Sequence, residues 1–203
     1  MTRRRDQGQG AAATTVDLLR AHGHPIGEVL LHRRAIAARV AELGDEITEA
    51  LAGAEPVLLA PLKSGAIFLA DLSRAISTPH ELETVQVAGY DGRGGGARLL
   101  KDADRSLAGR HVVVVEDVVD TGLTLAFLAR TLRERGLASL AVAALLDRPH
   151  RRLVDDLPLR FVGFTAPDEL LCGYGLGLDE RWRALPDVHV VDADALPAAI
   201  DAA

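Results

Sequence analysis

A run of four valines at positions 112–115 constrains the fold more than any other stretch of the chain. β-Branched residues suit a strand that is buried on both faces, and such strands occur in parallel sheets covered by helices. Two adjacent carboxylates, Glu116 and Asp117, follow the valines, and a helical pattern begins at Leu123. This order places the polar turn between strand and helix at the carboxyl edge of the sheet, where α/β proteins bind ligands.

That turn contains Asp120, Thr121, Gly122 and Thr124. Backbone N–H groups at the start of a helix can hold a phosphate, while glycine lets the backbone come close and the hydroxyls add donors. Carboxylates accept hydrogen bonds from a sugar diol, either directly or through Mg²⁺. Acids beside a phosphate cradle therefore indicate a ligand that carries both a phosphate and sugar hydroxyls.

Strand and helix patterns alternate along the rest of the chain, which predicts an α/β fold with a mainly parallel central sheet flanked by helices. Residues 1–27 are expected to be disordered or loosely ordered, with at most one helical turn at 16–20, and residues 28–203 to form one domain. The glycine-rich stretch 91–96 is expected to form no regular element. The predicted strands are 28–31, 57–62, a strand with Val85 and Val87 on one face, 112–115, 140–146, 161–164 and 188–191, and the predicted helices are 35–51, 66–76 and 123–135.

The composition excludes several classes of protein. A hydrophobic fraction of 48% over 203 residues fits a folded globule, and a formal charge of −6 argues against broad binding to nucleic acid or anionic membranes. Cys172 is the single cysteine, so no intrachain disulfide can form. No apolar run reaches the ~18 residues of a membrane span, and no apolar region of a secretory signal follows the N-terminus. We therefore expect a cytoplasmic protein that binds neither nucleic acid nor membrane.

The stretch from Val115 to Thr124 closely resembles the phosphoribosyl-pyrophosphate (PRPP) motif of type I phosphoribosyltransferases, and of their hypoxanthine-guanine branch in particular. Leu62-Lys63-Ser64-Gly65 is similar to the family's pyrophosphate loop, and the segment 161–183 is similar to its purine-binding hood. The resemblance implies a type I phosphoribosyltransferase fold with a small C-terminal hood near residues 150–192. It implies Mg²⁺-dependent transfer of phosphoribose from PRPP to N9 of a 6-oxopurine, with release of pyrophosphate, by a homodimer or homotetramer.

The resemblance also assigns roles to individual residues. Asp120 takes the position of the general base, and Glu116 and Asp117 take those of the residues that hold the ribose hydroxyls and the metal. Further PRPP-binding positions are Val119, Thr121, Gly122, Leu123 and Thr124. The pyrophosphate-binding positions are Lys63, Ser64, Gly65 and Arg183, and the family often has a cis peptide bond between the leucine and the lysine of this loop. The base-binding positions are Arg148, Leu170 and Leu171. The lid contains Gly89 and Tyr90.

Some of these residues have plain alternatives. Asp120 by itself could be an ordinary N-cap, Lys63 a surface lysine in a turn, and Arg183 one more arginine in an arginine-rich chain. A regulator of the same fold that senses nucleotides or binds RNA is a competing class, although the acidic balance and the retained Asp120 speak against it. A dehydrogenase and a P-loop nucleotidase are excluded, because neither of their glycine-rich motifs occurs in the chain.

Three departures from the family pattern fall on the side of the acceptor base. Arg148 replaces a lysine that contacts the purine 6-oxo group, Leu170 replaces an aromatic residue that stacks on the base, and Gly177 replaces an aspartate that helps to hold Mg²⁺. Asp179 is a candidate to compensate for that aspartate. Two interpretations stay open: an ordinary salvage enzyme with altered pocket residues, or an enzyme for a modified purine, such as a 7-deazaguanine derivative in a nucleoside-antibiotic pathway.

Overall fold

The structure is a computed structural model, and it describes residues 13–88 and 96–196. Strands and helices alternate through this part of the chain, as the sequence predicts. The helices are α1 (Thr15–Ala21), α2 (Arg33–Ala50), α3 (Ala66–Ala75) and α4 (Leu123–Arg133). The strands are β1 (Ile26–Leu31), β2 (Val57–Pro61), β3 (Glu81–Ala88), β4 (Arg98–Lys101), β5 (His111–Val119), β6 (Ser139–Asp147), β7 (Leu159–Thr165), β8 (Leu171–Cys172) and β9 (Val188–Val191).

The main sheet has six strands in the order β4-β3-β2-β5-β6-β7, and every neighbouring pair is parallel except β3 with β4. The valine strand β5 lies between β2 and β6, with Val112 beside Val57 on one side and Leu140 on the other. Helices cover both faces, because Val113 and Val115 pack in one core cluster with α2 and α3 while Val112 and Val114 pack in another with α4. The predicted fold class is confirmed.

The strand β5 is longer than predicted. The sequence analysis ends it at Val115, before the two acids, whereas the structure continues it through Glu116 and Asp117 to Val119. Pairing with β6 explains the extension, because Val118 lies beside Leu146 and Val119 beside Asp147. The acids are therefore held on the backbone of a paired strand and not on a loose turn.

Two short strands and one helix were not predicted or were predicted only weakly. The strand β4 has four residues and pairs antiparallel with β3 next to the glycine-rich stretch, while β8 has only two residues. Elements of this length leave too little periodicity in the sequence to be recognised. Helix α1 falls in the segment expected to be loosely ordered, and the Thr14 side chain caps it through a reciprocal contact with Asp17.

A second, three-stranded antiparallel sheet has the order β1-β9-β8 and forms the hood. The sequence analysis placed the hood near residues 150–192, but its edge strand β1 comes from the N-terminal side, and β7 belongs to the main sheet. Cys172 on β8 is fully buried, and this burial raises the pKa of its thiol to about 11. The hood contacts α3 through the Tyr174 hydroxyl, which donates to Asp71 Oδ2 at 2.7 Å. Along the described residues, the helices are too short or too polar to cross a bilayer.

Candidate active site

A cavity of about 680 Å³ opens at the carboxyl ends of β2 and β5, between the main sheet and the hood. Parallel strands leave their C-terminal edges free for turns, so this is where the fold concentrates polar groups. Most predicted site residues line the cavity, namely Lys63, Ser64, Glu116, Asp117, Val119, Asp120, Thr121, Gly122, Thr124, Arg148, Leu170, Leu171 and Arg183. Residues that lie far apart in the sequence are therefore brought to one place.

The two strand acids lie at the floor of this cavity. Asp117 is only 3% exposed, and burial raises the pKa of its carboxyl, although hydrogen bonding by Ser64 acts in the opposite direction. Burial, together with the nearby charge of Asp117, raises the pKa of Glu116 well above its ordinary value. Buried acids that repel each other are stabilised as carboxylates by hydroxyl donors or by a hard cation. The donor set therefore fits a ribose diol, and it fits Mg²⁺.

The turn after β5 has the shape of a phosphate cradle. Gly122 lies in the left-handed region with φ 81°, and α4 begins at the next residue. A Cβ atom at Gly122 would come within 2.9 Å of Leu157 Cδ1, the end of a flexible side chain that can shift, so the left-handed backbone is the main reason that this position suits glycine. The first N–H groups of a helix have no partner inside the helix and can donate to an anion. Leu123 is not among the described residues that line the cavity, so its role in binding PRPP stays a prediction from the family resemblance.

Arginines from the segment after β6 surround Asp120. The Arg151 Nε atom lies 2.9 Å from Asp120 Oδ1, and Arg148 Nη1 lies 3.8 Å from Oδ2. Arg151 also pairs with Asp168, at 2.7 Å, and the Arg152 Nε atom donates to the backbone oxygen of Asp120 at 3.3 Å. The sequence analysis missed Arg151 and Arg152. Their signal was their position three and four residues after Arg148, but in an arginine-rich chain two further arginines do not stand out.

The predicted base-binding residues lie on the same side of the cavity. Arg148 is 7% exposed, and one of its terminal nitrogens donates to the backbone oxygen of Glu169. Its Nε atom is buried and has no hydrogen-bond partner within the described residues. Leu170 is half-exposed at the rim and Leu171 is buried below it. The part of the wall that the structure describes contains no aromatic ring, so stacking on a base would use leucine side chains.

The opposite end of the cavity is basic. The Leu62–Lys63 peptide bond is cis, as the family resemblance implies, and Lys63 extends from this loop. Arg183 comes from the hood, where its Nη1 donates to the backbone oxygen of Gly175 at 2.8 Å. Gly65 is the N-cap residue of α3, and the described cavity wall contains Lys63 and Ser64 but not Gly65. The sequence analysis also missed Glu180, which lines this end of the cavity.

The acid that the family has at Gly177 is not replaced by Asp179 in the cavity. The described wall includes Gly177 and Glu180 but not Asp179, which is exposed and lies 4.0 Å from Arg181 Nε. A Cβ atom at Gly177 would come within 2.8 Å of Arg183 Cγ, so the absence of a side chain there allows Arg183 to lie flat against the backbone. The predicted lid residues Gly89 and Tyr90 lie outside the described residues.

Known proteins resemble this chain in both sequence and fold. The model of the phosphoribosyl transferase domain matches residues 27–165. Hypoxanthine phosphoribosyltransferase from Salmonella typhimurium is 42% identical over 172 residues, which cover 81% of this chain and 94% of that protein. Hypoxanthine-guanine phosphoribosyltransferase from Mycobacterium bovis is 40% identical over 176 residues, which cover 82% of this chain and 87% of that protein.

Solved structures agree with these sequence matches. A hypoxanthine-guanine phosphoribosyltransferase from Bacillus anthracis superposes with a TM-score of 0.79 at 37% identity, covering 82% of this chain and 99% of that one. A hypoxanthine phosphoribosyltransferase from Staphylococcus aureus superposes with a TM-score of 0.81 at 32% identity, covering 85% of this chain and 95% of that one. The chain therefore belongs to the phosphoribosyltransferase family, in its hypoxanthine-guanine branch.

Proposed function

We propose that this protein transfers the phosphoribosyl group of PRPP to N9 of a 6-oxopurine such as hypoxanthine or guanine and releases pyrophosphate. The observation that carries the proposal is the juxtaposition of buried acids, a helix N-terminus and a basic end within one cavity. PRPP carries a 5-phosphate, a diol and a pyrophosphate, which suit the helix N-terminus, the acids and the basic end respectively. The relatives that share the fold are named for this class of reaction.

In this proposal the bond between C1 of the sugar and the pyrophosphate oxygen breaks while a bond from C1 to N9 of the base forms. Positive charge develops on the sugar ring, and the carboxylates of Glu116 and Asp117 lie below the diol to hold it in place. Lys63 and Arg183 stabilise the negative charge that develops on the leaving pyrophosphate. Asp120 accepts the proton from N7 of the base: its Oδ1 atom is buried and accepts no hydrogen bond from the described residues, and the guanidinium of Arg151, 2.9 Å away, balances its charge.

Mg²⁺ is the proposed cofactor, and Glu116 and Asp117 are the residues that would hold it, directly or through the ribose hydroxyls. When bound, the ion would neutralise charge on the leaving pyrophosphate. Asp179 is not included among the proposed ligands, because of its position outside the described cavity wall. A cytoplasmic location and self-association into a dimer or tetramer remain predictions from the family.

The test is PRPP-dependent release of pyrophosphate by the purified protein, with hypoxanthine and guanine as acceptors and with Mg²⁺ present or removed by a chelator. We expect release that requires the base, PRPP and Mg²⁺ together. Binding of a nucleoside monophosphate with its phosphate over residues 120–124, seen in a crystal, would support the assigned geometry. A regulator that only senses nucleotides would bind PRPP or the nucleotide without releasing pyrophosphate.

A second candidate acceptor is a modified purine, such as a 7-substituted 7-deazaguanine. Arg148 supports it, because its buried guanidinium can donate to the 6-oxo oxygen and still has an Nε atom, unpaired among the described residues, for a further acceptor group on a 7-substituent. A 7-deazapurine has carbon in place of N7, so its substituent would point toward Asp120 and Arg151. Such an enzyme would belong in a specialised nucleoside pathway.

Steady-state rates on a panel of bases distinguish the two acceptors. The salvage proposal expects rapid turnover of hypoxanthine and guanine by the natural protein. The modified-purine proposal expects the 7-deazaguanines to be the better acceptors, and it expects the double substitution R148K and L170F, which restores the family's lysine and aromatic ring, to move the preference toward hypoxanthine. Rapid turnover of hypoxanthine with no activity on deazapurines would remove the second candidate.

A further inference from the structure

The carboxylate of Glu180 contacts both cationic side chains at the basic end of the cavity, Lys63 and Arg183. Lys63 Nζ lies 2.6 Å from Glu180 Oε2, and Arg183 Nη2 lies 3.2 Å from Glu180 Oε1. Each carboxylate oxygen therefore has its own cationic partner. Lys63 belongs to the loop after β2 and Arg183 to the hood, so Glu180 connects the two parts of the protein at the point where the proposed pyrophosphate subsite lies.

The local backbone holds Glu180 in this position. Asp179, Glu180 and Trp182 have φ angles of 48°, 63° and 63°, which form a tight turn that presents Glu180 to the cavity. Arg183 in turn is held by the Gly175 backbone oxygen and lies against Gly177. Hydrogen bonds from Lys63 and then Arg183 lower the pKa of Glu180, so its carboxylate stays ionised near neutral pH.

Two roles for this carboxylate make opposite predictions. As a substitute for the missing metal ligand at Gly177, Glu180 would have to turn an oxygen toward Mg²⁺ between two cations, which would repel the ion. As an anion paired with Lys63 and Arg183, it already makes the contacts that a pyrophosphate oxygen would make. The observed contacts favour the second role, because both oxygens are directed at cations.

We propose that Glu180 is an internal anion that competes with pyrophosphate for Lys63 and Arg183. This inference rests on the proposed function, because it requires that these cations bind pyrophosphate. To bind PRPP, the enzyme must first move the Glu180 side chain away, which weakens binding. After the reaction, the same carboxylate can return to the cations and displace the product. Glu180 thereby sets the balance between PRPP affinity and pyrophosphate release.

The competition should be measurable but modest. Exposed ion pairs are individually weak, so removing the charge of Glu180 should tighten PRPP and pyrophosphate by about 3- to 10-fold. The 5-phosphate cradle at residues 120–124 is at a different part of the cavity and should be unaffected. Glutamine at position 180 keeps the size and one oxygen acceptor while it removes the charge.

The experiment compares the natural protein with Glu180→Gln and with Glu42→Gln, a control that removes an exposed glutamate paired with Arg39 on helix α2. Titration calorimetry with Mg²⁺ present measures the binding of PRPP, of pyrophosphate and of a nucleoside 5′-monophosphate. We expect E180Q to bind the first two more tightly by a similar factor, to bind the monophosphate as before, and to release pyrophosphate more slowly. E42Q should bind all three as the natural protein does.

Several outcomes would overturn the inference, and they can be distinguished from one another. If the natural protein binds PRPP while E180Q binds it equally or more weakly, the competition is absent and only this inference fails. Weaker binding that worsens as Mg²⁺ is reduced would instead indicate a metal ligand. If the natural protein binds no PRPP and releases no pyrophosphate, the proposed function fails as well. A general disturbance of the fold would change monophosphate binding too, and it would also contradict the inference.

Discussion

Gly122 meets two separate requirements, and they can be tested apart. Its backbone is left-handed, and a Cβ atom there would also collide with Leu157. Gly109 is left-handed too, with φ 71°, but nothing lies within 4 Å of its added Cβ. Comparing alanine substitutions at Gly109 and Gly122 therefore distinguishes the effect of backbone strain from the effect of contacts with the added Cβ atom.

We predict that G109A destabilises the protein by about 1 kcal/mol, which is the ordinary cost of a left-handed alanine. G122A should cost slightly more, about 1–3 kcal/mol, because the side chains of Leu157 and Arg152 must also shift to admit the methyl group. It should also weaken binding of a nucleoside monophosphate, since the cradle must shift. Urea denaturation and calorimetry measure both effects. Equal stability losses in the two variants, or unchanged nucleotide binding in G122A, would contradict this explanation.

Asp120 and Asp168 share Arg151, which allows a matched comparison of their roles. We predict that D120N lowers kcat by about 100-fold or more, because asparagine cannot accept the proton from the base. Nucleoside monophosphate binding should change by no more than about 3-fold, since the backbone cradle remains. D168N removes the other acid on Arg151 and should leave kcat within about 3-fold. Similar losses in the two variants would show that Asp120 acts through Arg151 and not on the proton.

The hood depends on an ion pair between elements that are distant in the sequence. Asp187, just before β9, is 4% exposed and accepts hydrogen bonds from the Arg33 backbone N–H at 2.7 Å and from Arg33 Nη2 at 2.8 Å. Burial by itself raises the pKa of Asp187, but these hydrogen bonds outweigh it and the pKa lies below its ordinary value. The ionised carboxylate is therefore the form that stabilises the junction of the hood with α2.

We predict that D187N lowers the free energy of unfolding by about 2 kcal/mol near neutral pH. Because the folded-state pKa is lowered, the contribution of Asp187 is present above the unfolded-state pKa of about 4 and is lost as the pH falls through the folded-state value. The difference between the natural protein and D187N should therefore shrink below pH about 4. Urea denaturation over this range measures it, with exposed Asp45→Asn as the control. A difference that is independent of pH would contradict this role.

Sequence patterns predict the helices and strands well where the signal is local. The valine run, the spacing of apolar residues in α2 and the turn chemistry of 120–124 act through near neighbours, so their pattern is visible in the sequence. The pairing of β1 with β9 and the contact of Glu180 with Lys63 join distant segments, which no local pattern reveals. For the same reason, the site positions followed from the family resemblance, while the ion pairs of Arg151 and Glu180 required the folded chain.

For the molecule as a whole, the two acids at the cavity floor lower the stability of the ligand-free fold. Asp117 is buried and Glu116 beside it in the sequence is partly buried, and desolvation together with the charge of Asp117 disfavours the ionised form of Glu116. Enzymes commonly keep such destabilising groups where ligands need them. Ligand binding should therefore stabilise the whole fold, because it joins the main sheet to the hood and compensates both acids.

We predict that E116Q raises the melting temperature of the ligand-free protein by about 2–4 °C, which corresponds to about 1 kcal/mol in a domain of this size. Added PRPP and Mg²⁺ should raise the melting temperature of this variant by less than they raise that of the natural protein. The variant should also have a lower kcat. Differential scanning calorimetry measures both states, with exposed Glu49→Gln as the control. A lower melting temperature for ligand-free E116Q would show that Glu116 stabilises the fold instead of burdening it.

Cys172 gives the protein a built-in reporter. Its thiol is buried on β8 in the hood and, with a pKa of about 11, is almost entirely protonated near neutral pH. Cys172 packs in the hood's own apolar cluster with Ile26, Leu185 and Val191, so a thiol reagent can modify it only when the hood itself opens. The rate of labelling counts those opening events directly, so the hood's motions can be timed in the unaltered protein, without any introduced probe.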